Sequence, residues 1–318
     1  MDKVVVTRRL PGDAVDRLGE KFDVTVSPYE RNLSYGELNE ICRGAAGAIT
    51  MLSDRVDREF IESHPELKVV SNYAVGYNNI DLAAAAANGV TVANTPGVLT
   101  EATADIAWLL ILAVGRRIAE ADRYTRAGKF AGWAPELFLG RDIYGATLGI
   151  VGMGRIGQAT ARRALGFEME ILYFSREAKP EVEKQLGARR VELDELMRRA
   201  DYISLHTPLS RETKHLIDER RIGLMKPTAF LINTARGPVV DESALVRALR
   251  NGKISGAGFD VYHDEPVLTP GLTELDNTVL LPHIGSGSHA TRRKMAEIAA
   301  KNLSSVLEGR TPPHPVSS

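Results

Sequence analysis

The chain has 318 residues, 25% of them charged and 44% hydrophobic, with a formal net charge of -1. That length predicts two domains, and a balanced, near-neutral composition excludes a basic nucleic-acid-binding surface or a charged tail. The only cysteine, Cys42, excludes an internal disulfide and a multi-cysteine zinc site, so a cytoplasmic, reducing compartment is expected.

The opening MDKVVVTRRLPGDAV holds too short an apolar run for an export signal, which needs roughly 7 to 15 apolar residues. Short β-branched runs then alternate with helix-length segments: KVVVT, FDVTVS, AAGAITM, LKVVSN and VTVAN. This alternation predicts parallel strands with helices over them. A single helical pattern follows from about Thr100 to Gly128, with Thr100 as its N-cap candidate, and reads as a connector between domains. Its apolar part, ADIAWLLILAVGRRIA, falls short of the ~20 apolar residues of a membrane span and is bracketed by Asp105, Arg116 and Arg117. The irregular GKFAGWAPELFLGRDIYG is a surface loop or a partner contact; within it, Trp133 either packs on the loop or reaches a neighbouring subunit.

A second strand series begins near residue 146: ATLGIVGMG, MEILYFS, ADYISLHTP, TAFLINTARG, ISGAGFDVY and NTVLLPHIG. These runs are apolar on both faces, as buried parallel strands are. SHATRRKMAEIAAKNLSSVLEG predicts a last helix, and the tail TPPHPVSS is expected to fray. Cys42, on a helical pattern, reads as a small buried hydrophobe.

The chemistry announces itself at LGIVGMGRIGQATARRA. Gly152, Gly154 and Gly157 form a G-x-G-x-x-G turn directly between a strand and a helix, the setting in which that pattern marks a dinucleotide's pyrophosphate site. Such a domain begins at its fingerprint strand, so the residues before about 100 belong to another domain. About 20 residues further on, where an NAD site places an acid, the chain has Ser175 and Arg176. A hydroxyl and a guanidinium suit a 2′-phosphate, which predicts NADPH, with NADH possible because Glu177 follows. A solvated loop arginine is the alternative.

Three later strand ends bring polar residues to one sheet edge: Arg236, Glu265 and His283. An arginine between Ala235 and Gly237 suits an anionic guest such as a carboxylate. Histidine exchanges protons near neutral pH, and a nearby carboxylate favours its charged form. Each has a plainer reading: Arg236 pairs with Asp241, Glu265 caps the turn before Pro266, and His283 bonds to backbone. The remaining histidines, His64, His215, His263, His289 and His314, have no metal-ligand spacing, so no metal is expected.

Over essentially its whole length the chain resembles the D-isomer-specific 2-hydroxyacid dehydrogenases, most of all the glyoxylate and hydroxypyruvate reductase branch. The motifs that carry this are NYAVGYNNID, NTPGVLTEATAD, GMGRIG, NTARGPVVDE, GAGFDVYHDEP and LPHIGSGSHATR, in the family's order. The resemblance implies two doubly wound parallel-sheet α/β domains, with a Rossmann-type nucleotide domain (100–284) inserted into a flavodoxin-like substrate domain (1–99 plus 285–318) and a cleft between them. It implies a homodimer through the nucleotide domain, and no nucleic acid or membrane partner. Arg236, Glu265 and His283 become the catalytic trio. Leu52, Val75, Gly76 and Ser286, with Arg236 and His283, would meet the substrate; Ser286 and Ser288 are alternatively caps of the last helix. Gly152, Met153, Gly154, Arg155, Ile156, Gly157, Ser175, Arg176, His206, Thr207, Pro208, Thr234, Ala235, Asp260 and Gly285 would line the cofactor.

The reaction so implied is NADPH-dependent reduction of glyoxylate or hydroxypyruvate. Other 2-oxo acids remain open, 2-ketogluconate and the 3-phosphoglycerate type among them. So does a dinucleotide-sensing protein without turnover.

Overall fold

The computed structural model describes residues 1–316, which divide into two compact units. One joins Met1–Leu99 to the chain from Ser286 onward; the other is Thr100–Gly285.

In the first unit the β-branched runs form β1 (Lys3–Val6), β2 (Asp23–Val26), β3 (Gly47–Thr50), β4 (Val69–Asn72) and β5 (Thr91–Ala93), all parallel in the order β2-β1-β3-β4-β5. Register runs through Val4, Gly47, Val69 and Thr91. This is the flavodoxin-like strand order. Between the strands lie α1 (Ala14–Gly19), α2 (Tyr35–Cys42), α3 (Arg58–Glu62) and α4 (Leu82–Ala87). Ser34, Asp57 and Asp81 start three of these helices by accepting N–H bonds from Glu37, Phe60 and Ala84. Cys42 is fully buried in an apolar cluster with Val5, Leu38 and Phe60. The final helix, His289–Leu307, packs on β3 and β4.

The expected fraying of the tail is corrected. Pro315 bridges Ala93 and the Val316 N–H donates to Val92 O at 2.8 Å, so the tail adds to the edge of β5. Ser317 and Ser318 lie outside the described residues.

The second unit begins with α5 (Thr100–Gly115) and α6 (Ile118–Arg126). The expected single helix is therefore two, and Thr100 is its first helical residue rather than a cap. The break has a cause: the Gly115 carbonyl accepts the Arg141 N–H at 2.8 Å, and Arg117 turns left-handed at φ 55°. Nor is α5 a connector. Leu110 and Ile111 are fully buried against the sheet, each contributing about 1.5–3 kcal/mol of burial.

The rest follows as β6 (Thr147–Val151), α7 (Arg155–Ala164), β7 (Glu170–Phe174), α8 (Pro180–Leu186), β8 (Arg189–Arg190), α9 (Leu193–Arg199), β9 (Tyr202–Leu205), α10 (Glu219–Ile222), β10 (Phe230–Asn233), α11 (Glu242–Arg250), β11 (Gly256–Phe259) and β12 (Thr278–Leu280). The order is β12-β11-β10-β9-β6-β7-β8, wholly parallel. The chain runs outward from β6 to β8, then crosses back to β9, so the strand order reverses between β6 and β9. Open α/β sheets bind ligands beyond the carboxyl ends at such a reversal. Alternate residues feed opposite cores: Tyr202, Phe230 and Ile232 pack with α5, while Ile203 and Leu231 pack with Leu196 and Leu245. β8 escapes sequence reading because it is two exposed arginines with no apolar pattern. The loop after α6 is irregular, and Trp133 is 86% exposed, which overturns the expectation that it packs on the loop.

Candidate active site

At the reversal, Gly152 follows β6 and His206 follows β9. Gly152 has φ 101°, and a Cβ there would lie 2.8 Å from the His206 carbonyl; one on Gly157 would lie 2.1 Å from Gly152 O. Glycine is required at both for the turn to close and α7 to approach. Gly154 differs, because its Cβ would meet no protein atom within 4 Å. It caps α7 without any side-chain bond, leaving the helix's first N–H groups to whatever anion lies beyond.

Nearby, the Thr207 and Thr234 hydroxyls are buried with no partner among the described residues. Buried hydroxyls are normally paired, so two orphans beside an uncapped glycine turn fit a bound dinucleotide. His206 places Nε2 2.9 Å from Ser204 Oγ, and burial pushes its pKa down to about 3, which keeps the ring neutral. Met153 contributes backbone alone, since its side chain is sunk in the core.

At the end of β7, Arg176 is exposed, but the Ser175 hydroxyl is turned to the Glu177 carbonyl. Glu177 itself pairs with Lys179 at 3.4 Å. Arg190, from β8, donates to Ser175 O and Arg176 O, both at 3.1 Å, and so sets the loop.

On the neighbouring strands β10, β11 and β12, the three polar residues come to the same edge. His283 Nδ1 lies 2.7 Å from Glu265 Oε2, and Glu265 Oε1 accepts the Tyr262 N–H at 2.9 Å. Both readings of Glu265 thus hold at once: it shapes its turn and meets the histidine. Burial tends to raise the Glu265 pKa, but the bond and charge of His283, the Tyr262 N–H and the field of Arg236 together hold it below the ordinary value. A carboxylate can only accept, so Nδ1 carries the hydrogen and Nε2 is the free edge of the ring. Arg236 makes no ion pair among the described residues; its guanidinium donates to its own neighbour, Ala235 O, at 2.6 Å. Burial lowers its pKa, partly offset by Glu265. Pairing with Asp241 is ruled out as its role, because Asp241 caps α11 at Ala244 N.

Asp260, 1% exposed, accepts the N–H groups of Ile284 and Gly285 at 2.6 and 2.7 Å. It therefore fixes the turn that presents His283, a role that sequence reading missed. Ser288 caps the final helix at Thr291 N, settling its two readings, and His289 is the exposed first residue of that helix.

Within the first unit, Leu52 is exposed between β3 and α3, and Asp54 accepts the Met51 N–H at 2.7 Å. Asn79 donates to Met51 O and Asp54 O, Asn72 to Gly76 O, and Asn94 to Val75 O at 2.8 Å. The Leu52 and Val75–Gly76 loops are thereby locked to each other. The asparagines around NYAVGYNN were the available signal for this. Among the described residues no group of three or more His, Cys, Asp or Glu is placed to hold a metal. Among the described residues no helix is long and apolar enough to cross a membrane.

A glycine turn at a strand reversal, orphaned hydroxyls beside it and a carboxylate–histidine pair on the adjoining strand ends define a nucleotide-binding α/β oxidoreductase. Residues 108–285 match the family model described as D-isomer specific 2-hydroxyacid dehydrogenase, NAD binding domain. The chain belongs to that family and is an NAD(P)-dependent enzyme. It is 52% identical over 315 residues to a glyoxylate reductase of Thermococcus onnurineus, covering 98% of this chain and 94% of that protein. Its structure resembles the TT0316 protein of Thermus thermophilus with TM-score 0.93, at 49% identity, covering 99% and 100% of the two chains. It also resembles an NADPH-dependent glyoxylate/hydroxypyruvate reductase of Sinorhizobium meliloti in complex with NADP and malonate, with TM-score 0.85, 30% identity and coverage of 99% and 97%.

Proposed function

We propose that this enzyme reduces a small 2-oxo acid, glyoxylate or hydroxypyruvate, to the 2-hydroxy acid, preferring NADPH. The observation that carries the reading is the 2.7 Å bond between His283 and Glu265 beside an Arg236 that forms no ion pair among the described residues. The names of the Thermococcus and Sinorhizobium relatives support the substrate class.

When bound, the nicotinamide supplies a hydride to carbon 2 of the substrate. Residues Gly152 to Gly157 and the start of α7 hold the pyrophosphate, with Thr207, Pro208, Thr234, Ala235 and Gly285 lining the rest. The Arg236 guanidinium binds the substrate carboxylate and polarises the carbonyl next to it. Protonated His283 gives its Nε2 proton to the carbonyl oxygen, completing the alcohol. Glu265 holds Nδ1 and favours the charged ring until that transfer. Backbone at Val75 and Gly76, with Leu52 and Ser286, is assigned to the substrate on the resemblance above.

Arg176, with Glu177 turned to Lys179, supports the 2′-phosphate. A homodimer through the nucleotide unit is supported by the exposed Phe130, Trp133 and Leu139. The enzyme is assigned to the cytoplasm on its single cysteine.

The test is a steady-state panel of glyoxylate, hydroxypyruvate, pyruvate and 2-ketogluconate with NADPH and NADH. Highest kcat/KM for glyoxylate or hydroxypyruvate with NADPH is expected. Absence of turnover with every pair overturns the proposal.

A further inference from the structure

Glu242, the first residue of α11, is only 3% exposed. Burying a carboxyl is costly, and Asp241 already fills the N-cap, so capping gives no reason to bury a glutamate here. Its Oε2 accepts the Thr269 hydroxyl at 2.6 Å, while Oε1 is buried with no hydrogen-bond partner among the described residues. Burial raises its pKa most strongly, the Thr269 hydroxyl bond acts the other way, and the charge of Asp264 adds to the rise.

The Thr269 contact holds the far end of one short loop. His263 lies on one side of Glu265 and Thr269 on the other, and between them Asp264 and Val267 form a tight antiparallel bridge with a 2.9 Å bond from Val267 N. The loop's opposite flank rests on Gly237, where a Cβ would fall 1.9 Å from the Tyr262 carbonyl carbon. Gly237 directly follows Arg236, so the loop bearing Glu265 is wedged between the Arg236 turn and the Glu242 carboxyl.

We propose that Glu242 is a positioning residue for the reaction: by gripping the loop at Thr269 it sets the Glu265 carboxylate, and through it the His283 ring. The inference rests on the proposed roles of Glu265 and His283. Glu242 touches neither substrate nor cofactor; it acts through the loop.

The test compares Glu242→Ala, Thr269→Val and Thr269→Ser with His283→Gln, measuring kcat and KM for glyoxylate, NADPH affinity by fluorescence titration and the melting temperature. A misplaced group at a reacting centre costs up to about a hundredfold, so kcat should fall by about tenfold or more in Glu242→Ala and Thr269→Val. KM and NADPH affinity should stay near wild type, and Thr269→Ser, which keeps the hydroxyl, should restore most of kcat. A merely structural role would lower the melting temperature while kcat, measured well below it, stayed at wild type; that result overturns the proposal. Should Glu242→Ala fail to fold, the near-isosteric Thr269→Val decides alone. If His283→Gln keeps wild-type kcat, the proposed acid–base pair fails and this inference with it. If only His283→Gln loses activity, the pair stands and Glu242 has no part in positioning it.

Discussion

Asp260 holds His283 in place through the backbone that follows it. The buried carboxylate takes the N–H groups of Ile284 and Gly285 at 2.6 and 2.7 Å, and His283 itself sits at φ 54°. A left-handed histidine is strained by about 1–3 kcal/mol and persists only where its surroundings impose it. Removing the carboxylate strands two donors, each worth about 1–3 kcal/mol when left unsatisfied. Asp260→Ala should therefore lower stability by about 2 kcal/mol or more and lower kcat too, as read by urea unfolding and turnover. An unchanged urea midpoint with unchanged kcat would show that the turn holds itself.

The bond between His283 and Glu265 predicts coupled losses. His283→Gln should lower kcat by about a hundredfold, the general-acid contribution, with NADPH affinity nearly unchanged. Glu265→Gln should lower it by less. The double variant should be no worse than His283→Gln alone, because the carboxylate acts only through the ring. Additive losses in kcat would mean that Glu265 meets the substrate independently.

Arg236, without an ion pair among the described residues, predicts a different kinetic signature. Arg236→Ala should raise KM for the 2-oxo acid and lower kcat together, since the guanidinium binds the carboxylate and polarises the carbonyl in the same arrangement. Arg236→Lys keeps the charge but not the fork and should recover only part of either. Wild-type KM and kcat in Arg236→Ala would remove its assigned role.

These residues were visible in the sequence because each ends an apolar strand. TAFLIN, GAGF and TVLL are runs that only a buried sheet explains, so Arg236, Glu265 and His283 beyond them had to lie at one edge. The glycine fingerprint was legible for the same reason, its spacing being set by close approach. What escaped were effects of tertiary contact. β8 is two arginines held by register with β7, the break after Gly115 comes from Arg141 twenty-six positions on, and the tail is ordered by β5. Glu242 carries no sequence signal of its burial, because a first-turn glutamate is favoured by the helix dipole whether or not it is buried.

The loop at the end of β7 predicts cofactor preference. Arg176 is exposed while Glu177 is drawn to Lys179, so on the proposed NADPH preference a 2′-phosphate would meet a cation there. Arg176→Ala should cut the NADPH/NADH ratio of kcat/KM by about tenfold, one charge-assisted contact being worth about 1.5–3 kcal/mol before solvent screening. A wild-type enzyme favouring NADH by tenfold would sink the preference outright.

His206 predicts how stability depends on pH. Burial depresses its pKa to about 3, whereas in the unfolded chain a histidine titrates near 6.5. Between those values the unfolded chain binds the extra proton and the folded chain does not, so stability falls as pH drops from about 6.5 and the loss is complete near 3. The slope from one group is at most about 1.4 kcal/mol per pH unit, and less here because water reaches the ring's partly exposed edge. Carboxylates with depressed pKa, such as Glu265, withdraw their own stabilisation at lower pH, below the ordinary carboxylate range. Asp54, Glu242 and Asp260, whose pKa burial raises, act in the opposite sense as pH falls from about 6.5 toward 5, so the comparison with His206→Gln rather than that window itself isolates this histidine. In that window the melting temperature of the wild-type protein should fall more steeply on acidification than that of His206→Gln, which cannot take a proton. Identical slopes in the two proteins would show that His206 takes up its proton in the fold as readily as in the unfolded chain.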